Sequence, residues 1–172
     1  MTASCTTAEL RDTVTMLSSP PLIRLITEID DNGPIPPRGL ASTLADLSTH
    51  QLRQTADLAR TLGLIHVRPG TGLGLTEAGT ELADVYDATA RWARCHAYPS
   101  GISDFTTRVQ HTLRLMTETL APDTADGPRC QTGDHLPSAE WDADFVRACD
   151  LLRHWLSAYQ QAACLAESEP AA

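Results

Sequence analysis

Apolar residues recur along this chain at spacings of three and four, and proline, glycine and serine break the runs, which is the pattern of successive amphipathic helices. Over residues 7–18, Leu10, Val14 and Leu17 form the stripe of a first helix. Pro20 and Pro21 interrupt it and suit the first turn of a second. There Leu22, Ile23, Ile26 and Ile29 face inward, until Asn32 and Gly33 end the run. "PIPP", residues 34–37, reads as a short rigid connection. Leu40, Leu44 and Leu47 then imply about two to three turns of a third helix. Ser48 is placed to cap a fourth, which runs to about Leu62 with Leu52, Thr55, Ala56, Ala59 and Leu62 inward and Gly63 as its stop.

The period then changes. "LIHVR" reads as a strand, "PGTG" at 69–72 as a turn and "LGLT" as the returning strand. Thr76 caps a following helix over 77–98, whose Leu82, Val85, Tyr86, Thr89 and Trp92 lie on one face. Two further amphipathic helices are expected, over about 102–120 with Phe105, Val109, Leu113 and Leu115 or Met116 inward, and over about 139–166 with Trp141, Phe145, Cys149, Leu152, Trp155 or Leu156 and Tyr159 on the stripe. Residues 121–138 carry turn formers and little periodicity, and are expected to form a loop. The order helix, helix, hairpin, helix is the layout of a winged helix-turn-helix domain, so the expected fold is mainly α with a small β-hairpin wing and added C-terminal helices. The expected division is a DNA-binding unit over 1–98 and a helical extension over 99–172 for dimerisation, effector binding or both.

Composition narrows the class. With 172 residues, 42% hydrophobic and 20% charged, the chain resembles a globular protein large enough to bury a core. No apolar run reaches membrane-span length, and the start has neither a basic flank nor an apolar centre, so a cytoplasmic protein without a membrane partner is expected. All 13 basic residues are arginine, which together with the abundance of alanine, threonine, leucine and aspartate resembles the codon bias of a GC-rich bacterium. The net charge of −9 disfavours indiscriminate nucleic-acid binding. Residues 34–75 nevertheless carry Arg38, Arg53, Arg60 and Arg68 against Asp46 and Asp57, a local excess of positive charge.

In a helix-turn-helix the second helix enters the major groove, and its early exposed residues meet base edges. Here those residues are Thr49, His50, Arg53 and Gln54. Arginine can fork onto guanine and glutamine onto adenine. Arg68, near the hairpin tip, is placed for a phosphate or the minor groove. The competing reading of the same four helix residues is an ordinary solvated face.

The run "LSTHQLRQTADLARTLGLIHVRPGTGLGLTEAGTELADVYDATARWAR" resembles the recognition helix, wing and following helix of bacterial winged-helix regulators of the HxlR type, within the broader MarR-like group. The matching elements are "GLI", "LTEAG" and Trp92, and the resemblance covers roughly residues 17–94. It implies a homodimeric transcription factor binding double-stranded operator DNA, with Thr49, His50, Arg53 and Gln54 in the groove and Arg68 on the wing. The chain departs from that pattern in having "SSPPL" where the family has "GGKW", and in a longer tail from about residue 101.

The tail's aromatic residues Trp141, Phe145, Trp155 and Tyr159, with Trp92 and Phe105, are candidates for a small-molecule effector pocket or a dimer interface. Ordinary core packing is the competing reading for each. Among five widely spaced cysteines, Cys5 and Cys95 are the candidate redox thiols, weighed against passive ones. Cys130 with His135, and Cys95 with His96, lack the paired spacing of a zinc site, so no metal is expected. The sequence lacks GxSxG, HExxH and a phosphate-cradling glycine loop, so neither enzyme activity nor a cofactor is expected. Two rival readings stand beside the regulator: a winged-helix module that binds protein without touching DNA, favoured by the acidic charge, and a small-molecule binder for which the helix-turn-helix is scaffold.

Overall fold

In the computed structural model, residues 7–36, 38–120 and 143–167 are described. The chain is mainly helical with one small antiparallel hairpin. In order the elements are α1 (Thr7–Leu17), α2 (Pro20–Asn32), α3 (Leu40–Thr43), α4 (Thr49–Thr61), β1 (Ile65–Arg68), β2 (Gly72–Leu75), α5 (Glu77–Cys95), α6 (Phe105–Leu120) and α7 (Ala143–Glu167). The loop expected at 121–138, together with Trp141 and Cys5, lies outside the described residues.

Each helix buries the stripe its periodicity marks. Leu22, Ile23, Ile26 and Ile29 of α2 are buried together with Leu25. In α5 the buried set includes Leu82, Val85, Tyr86, Thr89 and Trp92. Helix α5 packs against α2, α6 and α7, so it is the element around which the others gather. Val109, Leu113 and Met116 of α6, and Phe145, Leu152 and Trp155 of α7, join the same hydrophobic core as Leu22, Ile26 and Tyr86. The described part of 99–172 therefore shares the core of 1–98 and does not build a separate one.

Polar bonds bind distant segments into that core. The Tyr86 hydroxyl donates to the Leu17 carbonyl at 2.7 Å, and full burial raises its pKa well above the ordinary phenol value. Gln110 Nε2 donates to the Ser18 carbonyl at 2.7 Å, so α6 is held to the junction of α1 and α2.

Two local differences from the sequence expectation follow from backbone geometry. The third helix spans only Leu40–Thr43, because Leu44 turns out of helical geometry (φ −110°, ψ 58°) to bury its side chain. Leu40, Leu44 and Leu47 still pack on the core, so the apolar spacing marked contact with the core and not continuous helix. The "PIPP" connection also contributes to the sheet. Ile35 pairs with Leu73 through two backbone bonds of 2.9 and 2.8 Å, which fix the hairpin base to the chain after α2. No described helix is long and apolar enough to cross a membrane.

Candidate nucleic-acid interface

A capping box fixes the start of α4. Ser48 Oγ accepts from the Gln51 backbone N–H at 3.3 Å, while Gln51 Oε1 accepts from the Ser48 backbone N–H at 3.0 Å. Both bonds satisfy donors that a helix start otherwise leaves open. Leu52, Thr55, Ala56 and Ala59 are buried, which sets the rotation of the helix. Thr49, His50, Arg53 and Gln54 are consequently all exposed, and their three- and four-residue spacings gather them on the outward face.

The charges around this face are unevenly matched. Asp57 pairs with Arg60 one turn later at 2.8 Å, and Asp46 pairs with Arg24 of α2 at 3.3 Å. The Arg24 hydrogen bond holds the Asp46 carboxyl below its ordinary pKa, so Asp46 stays ionised and matched. Both acids of residues 34–75 are thus engaged, whereas Arg38, Arg53 and Arg68 make no ion pair among the described residues. Exposed pairs of this kind contribute little stability. Their consequence is that residues 34–75 keep unmatched positive charge on an otherwise acidic chain.

The hairpin carries the second group. Its register pairs Ile65 with Leu75, His66 with Gly74, Val67 with Leu73 and Arg68 with Gly72. Alternation puts His66 and Arg68 on one face, and the glycines opposite leave a hollow of about 170 Å3 beside them, bordered by Pro34, Thr71 and Leu75. Arg68 stands out in the sequence by its place near the hairpin tip, whereas His66 is marked only by the period of two in "IHVR", which puts both on one face. Gly72 is required there. Its φ of 100° and the Ile35 carbonyl directly over the Cβ position exclude a side chain.

The end of α4 and the start of α5 interlock. Gly63, at φ 67°, ends α4, and its carbonyl accepts from the Thr76 hydroxyl at 2.6 Å. The same hydroxyl accepts from the Gly79 N–H at 3.1 Å, and the Thr76 backbone N–H donates to the Leu64 carbonyl at 2.9 Å. The Leu64 carbonyl also abuts the Cβ position of Gly79. "GLI" and "LTEAG" are therefore two halves of one junction, which sets the hairpin against the helix before it.

The aromatic candidates lie elsewhere. Trp92, Phe145 and Trp155 are buried in the core, Trp92 against Phe145 at a centroid distance of 4.8 Å and Trp155 stacked on the half-buried Tyr159 at 5.2 Å. Phe105 is half-buried. Trp92, Phe145 and Trp155 thus pack within the hydrophobic core of the chain itself. Cys95 is exposed; Cys149 is buried, and desolvation pushes its thiol up to about 11. Among the described residues no cluster of three or more His, Cys, Asp or Glu is placed to hold a metal ion.

No protein-family model, curated protein or solved structure matches the chain.

Proposed function

We propose that this chain is a winged helix-turn-helix transcriptional regulator that binds double-stranded operator DNA as a homodimer. In this reading α3 and α4 are the helix-turn-helix, α4 is the recognition helix and the β1–β2 hairpin is the wing. The carrying observation is that Thr49, His50, Arg53 and Gln54 share the exposed face of a capped helix, with Arg53 free of any ion pair among the described residues. A guanidinium without a carboxylate partner keeps its fork of donors for a guanine edge. Arg68 and His66 on one hairpin face supply positive and hydrogen-bonding groups for the sugar–phosphate backbone. The acidic remainder of the chain faces away from DNA and limits non-specific binding.

Selection of genomic fragments on the purified protein, followed by a salt titration on the best fragment, tests the reading. A discrete inverted repeat whose affinity falls steeply with salt supports it. A folded protein that enriches no fragment over random DNA sinks it, and leaves the module that binds protein or small molecules without DNA.

A further inference from the structure

Helix α7 turns one side to the core and leaves a patterned side outward. Phe145, Ala148, Cys149, Leu152, Trp155 and Leu156 are buried. On the opposite side Ala143, Val146, Arg147, Asp150, Leu151 and His154 line one open hollow. Alternating steps of three and one make them a continuous helical stripe. Val146 is 46% exposed, and Leu151 is half-buried. At the middle of the stripe the order is apolar, basic, acidic, apolar: Val146, Arg147, Asp150, Leu151. Read in reverse, each charge is replaced by its opposite, so the stripe is complementary to itself run backwards.

We infer that a second copy of this chain docks on this face through an antiparallel seam of two α7 helices, with the two-fold axis crossing the seam midway between the levels of Arg147 and Asp150. In that register Arg147 lies level with the partner's Asp150, and Asp150 with the partner's Arg147. The same register brings Val146 level with the partner's Leu151 and Ala143 with the partner's His154. A two-fold contact uses one patch twice, so a single Arg–Asp match in the sequence becomes two matches in the dimer. Parallel pairing sets Arg147 against Arg147 and Asp150 against Asp150, which like-charge repulsion disfavours. The charge pattern thus selects the direction as well as the register.

Both charged groups are available for this contact. Arg147 makes no ion pair among the described residues. Asp150 accepts from Arg153 of its own helix at 2.7 Å, but both side chains are more than half exposed, and a pair of that kind is weak and easily shared. The seam rests on the homodimer in the proposed function and adds where that dimer is held; it does not depend on DNA binding.

The test is sedimentation equilibrium of the full chain at low and moderate salt, for the wild type, Arg147→Glu, Asp150→Arg and the double variant. All sites are on the surface, and thermal unfolding by circular dichroism checks that each variant keeps its fold. The wild type is expected to dimerise, and each single change to weaken self-association by about tenfold or more, since it sets like charges together on both sides of the axis. The double variant exchanges the signs and is expected to recover to within a few-fold of the wild type. Single changes that weaken the dimer without rescue by the double variant overturn the Arg147–Asp150 pairing. A dimer indifferent to both single changes overturns the seam and leaves the dimer itself standing. A monomeric wild type overturns both.

Discussion

The indole N–H of Trp155 donates to the carbonyl of Ala78 at 2.8 Å, joining α7 to the first turn of α5 across 77 residues. That turn follows the hairpin directly, so the C-terminal helix braces the element that positions β2. Trp155→Phe keeps most of the apolar contact and removes the bond, and should cost about 1 kcal/mol. Trp155→Ala also empties a buried site and should cost about 3 to 5 kcal/mol. Urea unfolding followed by circular dichroism measures both. Midpoints unchanged by either substitution would mean that α7 unfolds independently of the rest.

Gly79 reverses the usual rule for glycine in a helix. Alanine normally stabilises a helical position by about 1 kcal/mol over glycine. At residue 79 the added Cβ meets the Leu64 carbonyl, a backbone atom held in place by the Thr76 N–H. Gly79→Ala is therefore expected to destabilise by about 1 to 3 kcal/mol, the range for overpacking a well-filled site. A gain in denaturation midpoint would show that α4 and α5 can separate without loss.

Ser48→Ala removes one half of the capping box at α4 and should cost about 1 kcal/mol. The damage is local, because Leu52, Ala56 and Ala59 still pin the rest of the helix. Hydrogen exchange is expected to accelerate at residues 49–52 and to stay near the wild-type rate over 56–61. Uniform acceleration along α4 would argue that the cap holds the whole helix.

How much of this was legible in the sequence depends on whether a signal was periodic or spatial. The stripes of α2, α4 and α5 were readable because burial repeats with the helical turn, and Ser48 and Thr76 were readable as caps because capping needs only local geometry. The Ile35–Leu73 bridge was not, since it joins segments whose spacing carries no period. Leu44 misled for a related reason: an apolar residue at helical spacing can pack on the core from a turn. The aromatic residues of α7 advertised burial without saying against what, and the partner proved to be α5 of the same chain. On the candidate interface, the exposure of Arg53 was legible, but the pairing of Asp57 and Asp46 that leaves it unmatched needed coordinates.

Thiol chemistry should separate Cys95 from Cys149. Cys95 is exposed, and Cys149 is buried with its thiol pushed up to about 11 by desolvation. Alkylation near neutral pH, mapped by mass spectrometry, is expected to label Cys95 in the folded protein and Cys149 only on unfolding. The sign of the linked pH effect follows from the same shift. Above the ordinary thiol value of about 9 the unfolded chain loses the Cys149 proton and the folded chain keeps it, so this residue's contribution falls as pH rises towards about 11. Replacing Cys149 by alanine should flatten that part of the stability profile; an unchanged slope would assign the loss to other groups.

The two arginines of the proposed interface differ in what holds them, and so should their substitutions. Arg53 projects from a helix whose rotation is set by Leu52, Thr55, Ala56 and Ala59, so in the proposed complex its guanidinium is presented to one base step. Arg68 stands at the end of a short strand beside Gly70 and Gly72, on a hairpin suited to reach a phosphate, which every sequence presents. Arg53→Ala should therefore cost about 1 to 3 kcal/mol on the selected operator and little on random DNA, relaxing preference at one position. Arg68→Ala should weaken operator and random DNA alike and lower the salt slope by about one. Fluorescence anisotropy on both duplexes, at two or more salt concentrations, measures all four quantities. If the two substitutions produced the same loss on both duplexes, the division between base reading by α4 and backbone contact by the hairpin would be wrong.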